Sequence, residues 1–260
     1  MYRTLFLSDI HLGKHHCHAD LLLEFLHHHE AETIYLVGDV FDVWCLRKKM
    51  YWPPSHDQVF RHLVRRAETG TRVIYLPGNH DDILRRSRNL SFGPIEFTDS
   101  AEHRCADGRR YLVIHGDQYD VVLQKANWLG PIGDWFYDVV LTANKGLGAL
   151  WRRTGRTPAW SLSAIAKQMV KRTVNYASHF EDVVVAELEA KRLDGIICGH
   201  VHHAEDGDMR GFHYVNTGDW VESCTAVVEH YDGRLEILTW SDAVQSRAAT
   251  AAIAAKQAAE

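Results

Sequence analysis

Five times along this chain a short apolar run of strand length ends in a turn that carries Asp, Asn or His. Leu5 to Ile10 reads as a short buried strand that ends in Ser8-Asp9-Ile10-His11, and Thr33 to Val37 runs into Gly38-Asp39-Val40-Phe41-Asp42. Arg72 to Leu76 opens onto Pro77-Gly78-Asn79-His80-Asp81, Arg109 to Ile114 onto His115-Gly116-Asp117, and Ile196-Ile197-Cys198 onto Gly199-His200-Val201-His202. Polar ligands repeatedly placed where buried strands finish are the mark of an α/β sheet with its chemistry at one end. Between the first three runs, Ala19 to Glu30 and His56 to Ala67 have helical apolar spacing. Strand and helix therefore alternate, which predicts right-handed crossovers in a largely parallel sheet.

A different rhythm follows. Asp107-Gly108 and Asp232-Gly233 are hairpin signals between strand-like arms. Residues 119–193 read as mostly helical, so the expected organisation is one domain over 1–240 with a helical insertion at about 119–193. An Ala-rich tail, 241–260, has no assigned role. From Lys145 to Phe180 no residue is acidic, while Lys145, Arg152, Arg153, Arg156, Lys167, Lys171 and Arg172 are basic. On the helix expected after Pro158, Ser163, Lys167, Lys171 and Asn175 share one stripe. Two readings stand side by side: a solvated helix face over ordinary core, or a lid that meets an anionic, amphiphilic substrate with Lys167, Lys171 and Asn175 binding it.

Composition sets limits on function. A formal net charge of −5 in 260 residues argues against a general nucleic-acid binder, and no stable nucleic-acid partner is expected. The five cysteines are scattered and odd in number, as for reduced thiols in a cytoplasm-like compartment. The first residues enter a strand with no signal-peptide layout, and no apolar run approaches the roughly 20 residues of a membrane span. A cytoplasmic protein is expected, with room for peripheral contact on the cytoplasmic face of a membrane. His15, His16, His18 and His27 to His29 suit a loop and a solvated helix face, and Cys198 a small core position.

The strand ends together supply Asp9, His11, Asp39, Asn79, His115, His200 and His202. Seven oxygen and nitrogen ligands without cysteine suit two borderline-hard divalent ions, with Mn²⁺ first and Fe²⁺ or Zn²⁺ as alternatives. Two such ions need a carboxylate between them, and Asp39 is the natural bridge. The i, i+2 pairs Asp9/His11 and His200/His202 would keep both side chains on one side if the strand continued. Asp42 and Asp117 are placed as groups that orient ligands from behind.

These five motifs, in this order, resemble those of the calcineurin-like metallophosphoesterases, and the resemblance runs from about Tyr2 to Trp240. It implies a four-layer αββα sandwich with the metals at one end. It also implies one ion on Asp9, His11, Asp39 and His202, and the other on Asp39, Asn79, His115 and His200. His80 matches the histidine that protonates the leaving group or stabilises the transition state, with Asp81 as its orienter.

Within that family the stretch Ile34 to Trp44, the insertion after His115-Gly116-Asp117, and Val215-Asn216-Thr217-Gly218-Asp219-Trp220 are similar to the UDP-2,3-diacylglucosamine pyrophosphatase group of lipid A biosynthesis. That group cleaves a nucleotide diphosphate-lipid to UMP and an acylated sugar phosphate. It carries Arg after the metal-binding Asn, where this chain has His80, so the chain resembles a His-bearing branch. A broad-specificity phosphodiesterase or phosphatase on nucleotides, a nuclease and a non-catalytic scaffold are the rival readings.

Overall fold

The computed structural model describes residues 1–86, 92–119 and 180–240. The chain divides into two compact units, Met1–Asp117 with Glu187–Glu260, and Gln118–Ala186. The expected lid falls mainly outside the described residues, as do Lys167, Lys171, Asn175 and the tail 241–260. Among the described residues no helix is long and apolar enough to cross a membrane.

The first unit holds two sheets. In one, β1 (Tyr2–Leu7), β2 (Ala31–Val37), β3 (Arg72–Leu76) and β4 (Glu96–Phe97) run parallel, and β10 (Thr225–Glu229) and β11 (Leu235–Thr239) extend it antiparallel beyond β1. The other has β5 (Ala101–Arg104), β6 (Arg110–Val113), β7 (Gly195–Cys198), β8 (Glu205–Met209) and β9 (Phe212–Asn216) in the order β5-β6-β7-β9-β8. Here β6, β7 and β9 are parallel. Four helices are described in full: α1 (Ala19–His28), α2 (Val43–Lys48), α3 (Pro54–Glu68) and the single turn α4 (Ile83–Arg86).

Alternation along the strands builds the layers, because successive side chains point to opposite faces. Phe6, Tyr35, Val37, Ile74 and Leu76 cluster with Tyr111, Val113, Ile197 and Val215 of the second sheet, forming the core between the sheets. One residue along, Leu5, Leu7, Ile34, Leu36, Val73 and Tyr75 cluster with Leu22, Phe25 and Leu26 of α1 and with Val59 and Leu63 of α3. Both faces of the first sheet are thus covered, which explains why its parallel strands read as nearly continuous apolar runs. This is the two-sheet sandwich with outer helices that the motif order implies.

A buried carboxylate ties the two sheets together. Glu229 on β10 accepts hydrogen bonds from Arg3 Nη1 at 2.5 Å and Thr4 Oγ1 at 2.7 Å on β1. It also meets His103 Nε2 on β5 and the Ala106 amide, each at 2.8 Å. Burial alone would push its carboxyl up, but His103, Thr4 and the Ala106 amide bring it down to about 2.

Several elements differ from the sequence-based expectation. The first strand stops at Leu7 rather than Ile10, because the chain turns left-handed at Asp9. The strand β8 has no apolar alternation to announce it: Glu205-Asp206-Gly207-Asp208-Met209 forms an acidic edge paired with β9. The helix α2 begins where the Asp42 side chain accepts the Cys45 amide at 2.8 Å, an N-cap that also marks the end of the second motif.

Candidate metal centre

All five motifs follow the carboxyl ends of strands that run parallel within their sheets: β1, β2 and β3 in one, β6 and β7 in the other. Beyond the strand ends the first two motifs keep pairing. The Asp9 amide donates to Gly38 O at 3.0 Å, that of His11 to Asp39 O at 2.9 Å, and that of Asp42 to Leu12 O at 2.8 Å. Five of the seven candidate ligands, Asp9, His11, Asp39, His200 and His202, have left-handed backbones with φ between 49° and 74°. Such conformations are uncommon for any residue with a Cβ, though Asp and His tolerate them best. The side chains of the i, i+2 pairs therefore converge through left-handed loops, not through the strand alternation expected of them.

The glycines of the motifs have a steric role. A Cβ on Gly38, whose φ is +83°, would overlap the His115 ring. One on Gly78 would overlap Asp39 Oδ1, and one on Gly199 would lie 2.5 Å from Asp9 Oδ2. Ligands from different motifs can approach only because these positions lack side chains.

Each carboxylate divides its oxygens between backbone and site. Asp9 Oδ2 accepts the His200 amide at 2.9 Å and Ser8 Oγ at 2.5 Å, while Asp9 Oδ1 is buried without a hydrogen-bond partner. Asp39 Oδ1 accepts the His80 amide at 2.8 Å, leaving Oδ2 turned to His115 Nε2 at 3.4 Å. The histidines are held from behind. His115 Nδ1 donates to Val37 O at 2.8 Å, His11 Nδ1 faces Asp42 Oδ2 at 3.3 Å, and His202 Nδ1 faces Asp219 Oδ2 at 3.3 Å. All three present Nε2 inward, the arrangement that fixes a ligand tautomer.

The inward atoms lie close. His202 Nε2 is 3.2 Å from Asp9 Oδ1 and 3.3 Å from His11 Nε2, and His11 Nε2 is 3.9 Å from Asp39 Oδ2. On the other side His115 Nε2 is 3.3 Å from Asn79 Oδ1, and the His115 and His200 rings are 5.2 Å apart. Asp9/His11/His202 and Asp9/Asp39/His115 are two of the four groups of donor atoms that lie within 4.8 Å of one another among the described residues. An orphaned buried carboxylate oxygen beside two imidazole nitrogens has the donor chemistry of a divalent-ion site, so the residues fit the two ions the sequence implies.

The electrostatics agree. Burial alone would raise Asp39 and Asp9, but the facing imidazoles hold both below the ordinary carboxylate range. Burial alone would lower His115, yet Asp39 raises it to about 10; Asp219 and Asp9 likewise raise His202 to about 10. The carboxylates thus favour protons on these imidazoles, and divalent ions bound there would displace them.

His80 lies at the rim. Its Nδ1 faces Asp42 Oδ2 at 3.3 Å, its ring is 4.7 Å from that of His11, and the half-exposed Trp44 indole packs over it at 4.1 Å. Asp42 thus stands behind both His11 and His80, and these imidazoles hold its carboxyl low against the effect of burial. The expected partnership of Asp81 with the His80 ring is not the one built. Asp81 is fully buried and accepts the Val40 amide at 2.9 Å, the Gly78 amide at 2.6 Å and the Tyr75 hydroxyl at 2.5 Å. Its carboxylate holds the loop backbone between motifs. Burial, reinforced by Asp39, pushes it up to about 6.

Asp117 likewise meets no candidate ligand directly; it pairs with Arg85. Asp219 stands outside the five motifs yet belongs to the site. Its Oδ1 accepts the amides of Val221, Glu222 and Ser223, which with His202 hold its carboxyl low against burial. A faint signal points to it: Asn216-Thr217-Gly218-Asp219 ends β9 as Gly38-Asp39 ends β2. Cys198 is buried on β7 with its thiol pushed up to about 12 by burial, as suits a core position.

Residues 2–204 match the model of the calcineurin-like phosphoesterases. The UDP-2,3-diacylglucosamine hydrolase of Marinobacter nauticus is 28% identical over 234 residues, covering 85% of this chain and 90% of that protein. The protein of the same name from Neisseria gonorrhoeae is 24% identical over 239 residues, with the same two coverages. One component of the Escherichia coli nuclease SbcCD is 33% identical over 102 residues, 34% of this chain and 24% of that protein.

Proposed function

The chain belongs to the calcineurin-like phosphoesterase family and is a phosphoester hydrolase, and from that premise we propose that it uses two divalent ions to cleave a phosphoanhydride. The favoured substrate is a UDP-2,3-diacylglucosamine-type nucleotide lipid, giving UMP and an acylated sugar phosphate. The observation that carries the substrate is coverage: two relatives named for this hydrolase align along 85% of the chain. The SbcCD component aligns over about a third, which leaves the nuclease reading weaker.

Bound among the Nε2 and carboxylate atoms, two ions would offset phosphoryl charge and make water acidic enough to attack at neutral pH. Asp9, His11, Asp39 and His202 would hold one, and Asp39, Asn79, His115 and His200 the other, a mixed oxygen and nitrogen set that suits Mn²⁺ first and Fe²⁺ or Zn²⁺ as alternatives. Asp42 orients His11 and His80 from one carboxylate oxygen. His80, at the rim and 4.0 Å from Asp39 Oδ2, is placed to give a proton to the departing oxygen. Asp81 keeps the Asn79 loop and the Val40–Phe41 backbone in register. Lys167, Lys171 and Asn175 remain candidates for the lipid-side contact, together with peripheral attachment to a cytoplasmic membrane face.

His80 favours a second reading, a broad-specificity phosphodiesterase on nucleotides, because the pyrophosphatase group carries Arg there. A substrate panel with Mn²⁺-loaded protein separates the two. UMP release from UDP-2,3-diacylglucosamine at a kcat/KM at least about 100-fold above that for bis-aryl phosphates or cyclic nucleotides is expected. Equal or better turnover of the soluble diesters would reject the lipid substrate, and turnover of none would reject the hydrolase.

A further inference from the structure

Arg85 stands between two of the motifs. From α4 its Nη1 donates to Asp117 Oδ2 and its Nη2 to Asp117 Oδ1, both at 2.7 Å, and Nη2 also donates to the Pro77 carbonyl. Pro77 precedes Asn79 by two residues, and Asp117 follows His115 by two. One planar guanidinium therefore grips both loops whose side chains meet at 3.3 Å, Asn79 Oδ1 to His115 Nε2. Only an arginine has the fork for a bidentate carboxylate and a further N–H for a carbonyl. The pair is shielded, with side chains 23% and 9% exposed, so it is not the loose surface contact that contributes little.

The rest of the Asn79 loop is fastened elsewhere. Asp81 takes the Val40 and Phe41 amides and Asp39 takes the His80 amide, and both tie the loop to the end of β2. Asp39 also turns Oδ2 to His115 Nε2 at 3.4 Å, a contact between side chains, whereas Arg85 joins the Pro77 backbone to Asp117 at the end of β6. We infer that Arg85 is a positioning residue for one ion: its clasp on Asp117 and Pro77 sets the separation of Asn79 from His115, and so the affinity of the ion they share. Asp117 then acts on the site through Arg85, not by touching a ligand. The inference rests on the two-ion reading above.

The test is Mn²⁺ binding to the full chain, followed by calorimetry and by the electron paramagnetic resonance signal of coupled ions. Arg85→Gln and Asp117→Asn should each weaken one of the two ions by about ten-fold or more, the usual range for groups behind a ligand, and leave the other within about two-fold. Arg85→Lys, which keeps the charge without the fork, should fall between. In an Asn79→Ala background Arg85→Gln should add nothing. Two ions bound as tightly as in the wild type by Arg85→Gln would overturn the inference, and so would an equal loss at both sites. If Arg85→Gln does not fold, Arg85→Lys and Asp117→Asn decide in the same way. A wild-type chain that binds fewer than two ions would instead reject the two-ion reading itself.

Discussion

Replacing Asp219 by Asn should disable His202 as a ligand while leaving the loop around it intact. In the native chain Oδ2 faces His202 Nδ1 at 3.3 Å, so an imidazole that gives up its second proton keeps the one on Nδ1 and turns the Nε2 lone pair inward. Oδ1 meanwhile accepts three amides, from Val221, Glu222 and Ser223 at 3.0, 2.7 and 2.9 Å. Asparagine can serve those three amides only with its own oxygen, which leaves its NH₂ against His202. The ring must then accept at Nδ1 and carry its proton on Nε2, 3.2 Å from Asp9 Oδ1, where it donates a hydrogen bond instead of binding an ion. Flipping the amide would restore the tautomer, but at the loss of three hydrogen bonds of about 1 kcal/mol each. That cost exceeds the about 1.4–2.7 kcal/mol that corresponds to a 10–100-fold loss of ion affinity, so the wrong tautomer should prevail. Calorimetric titration with Mn²⁺ should show one ion weakened by about 10–100-fold, with the ion on Asn79 and His115 little changed. Native affinity for both ions in Asp219→Asn would refute the assignment of Asp219 as the group that sets the His202 tautomer.

Two further outcomes follow from the packing. Gly78→Ala places a Cβ 2.7 Å from the Asp39 amide nitrogen and from His115 Cδ2. It should cost about 1–3 kcal/mol in urea unfolding and strip ions from the protein, and a native ion content would count against the steric account. Glu229→Gln tests the clasp between the sheets. Its folded pKa of about 2 lies below the ordinary 4.5, so its contribution is complete above about pH 4.5 and disappears as pH falls through 2. At about 1.4 kcal/mol per unit, the wild type should lose on the order of 3 kcal/mol over that window. Glu229→Gln should lack that acid-dependent loss because it lacks the contribution already at pH 7. An unchanged unfolding midpoint at pH 7 would show that the buried carboxylate contributes little.

Whatever repeats locally is legible in the residues. Runs such as Arg72 to Leu76 announce strands because both faces are covered, and the turn after each announces a ligand because it brings Asp, Asn or His in where the apolar run stops. The order of those turns carries the family resemblance, and with it the αββα class. The acidic β8 escapes such a reading because its partner β9, not its own pattern, makes it a strand. Asp219 escapes because nothing local marks it as the partner of a distant ligand. Its importance comes from His202, which is 17 residues away in sequence but 3.3 Å away in space. Adjacency pairs Asp81 with His80. The fold instead turns the Asp81 carboxylate inward, to the Val40 and Phe41 amides, 41 and 40 residues away, and to Tyr75, and gives His80 to Asp42. Arg85 and Glu229 are silent for the same reason: long-range polar pairs leave no periodicity in a single chain.

The left-handed backbones at Asp9, His11, Asp39, His200 and His202 also bear on how this site can drift. Few residue types accept that conformation cheaply; Gly is freest, and Asn, Asp and His come next. The set of side chains the loops tolerate is therefore nearly the set that can bind a metal. Most random substitutions there are opposed twice, by the backbone and by the lost ligand. The low-strain exits are Gly and Asn, and Gly would relax the loop while removing the donor. A lineage that abandons catalysis should shed its ligands by these routes, keeping the loops' shape after the chemistry has gone.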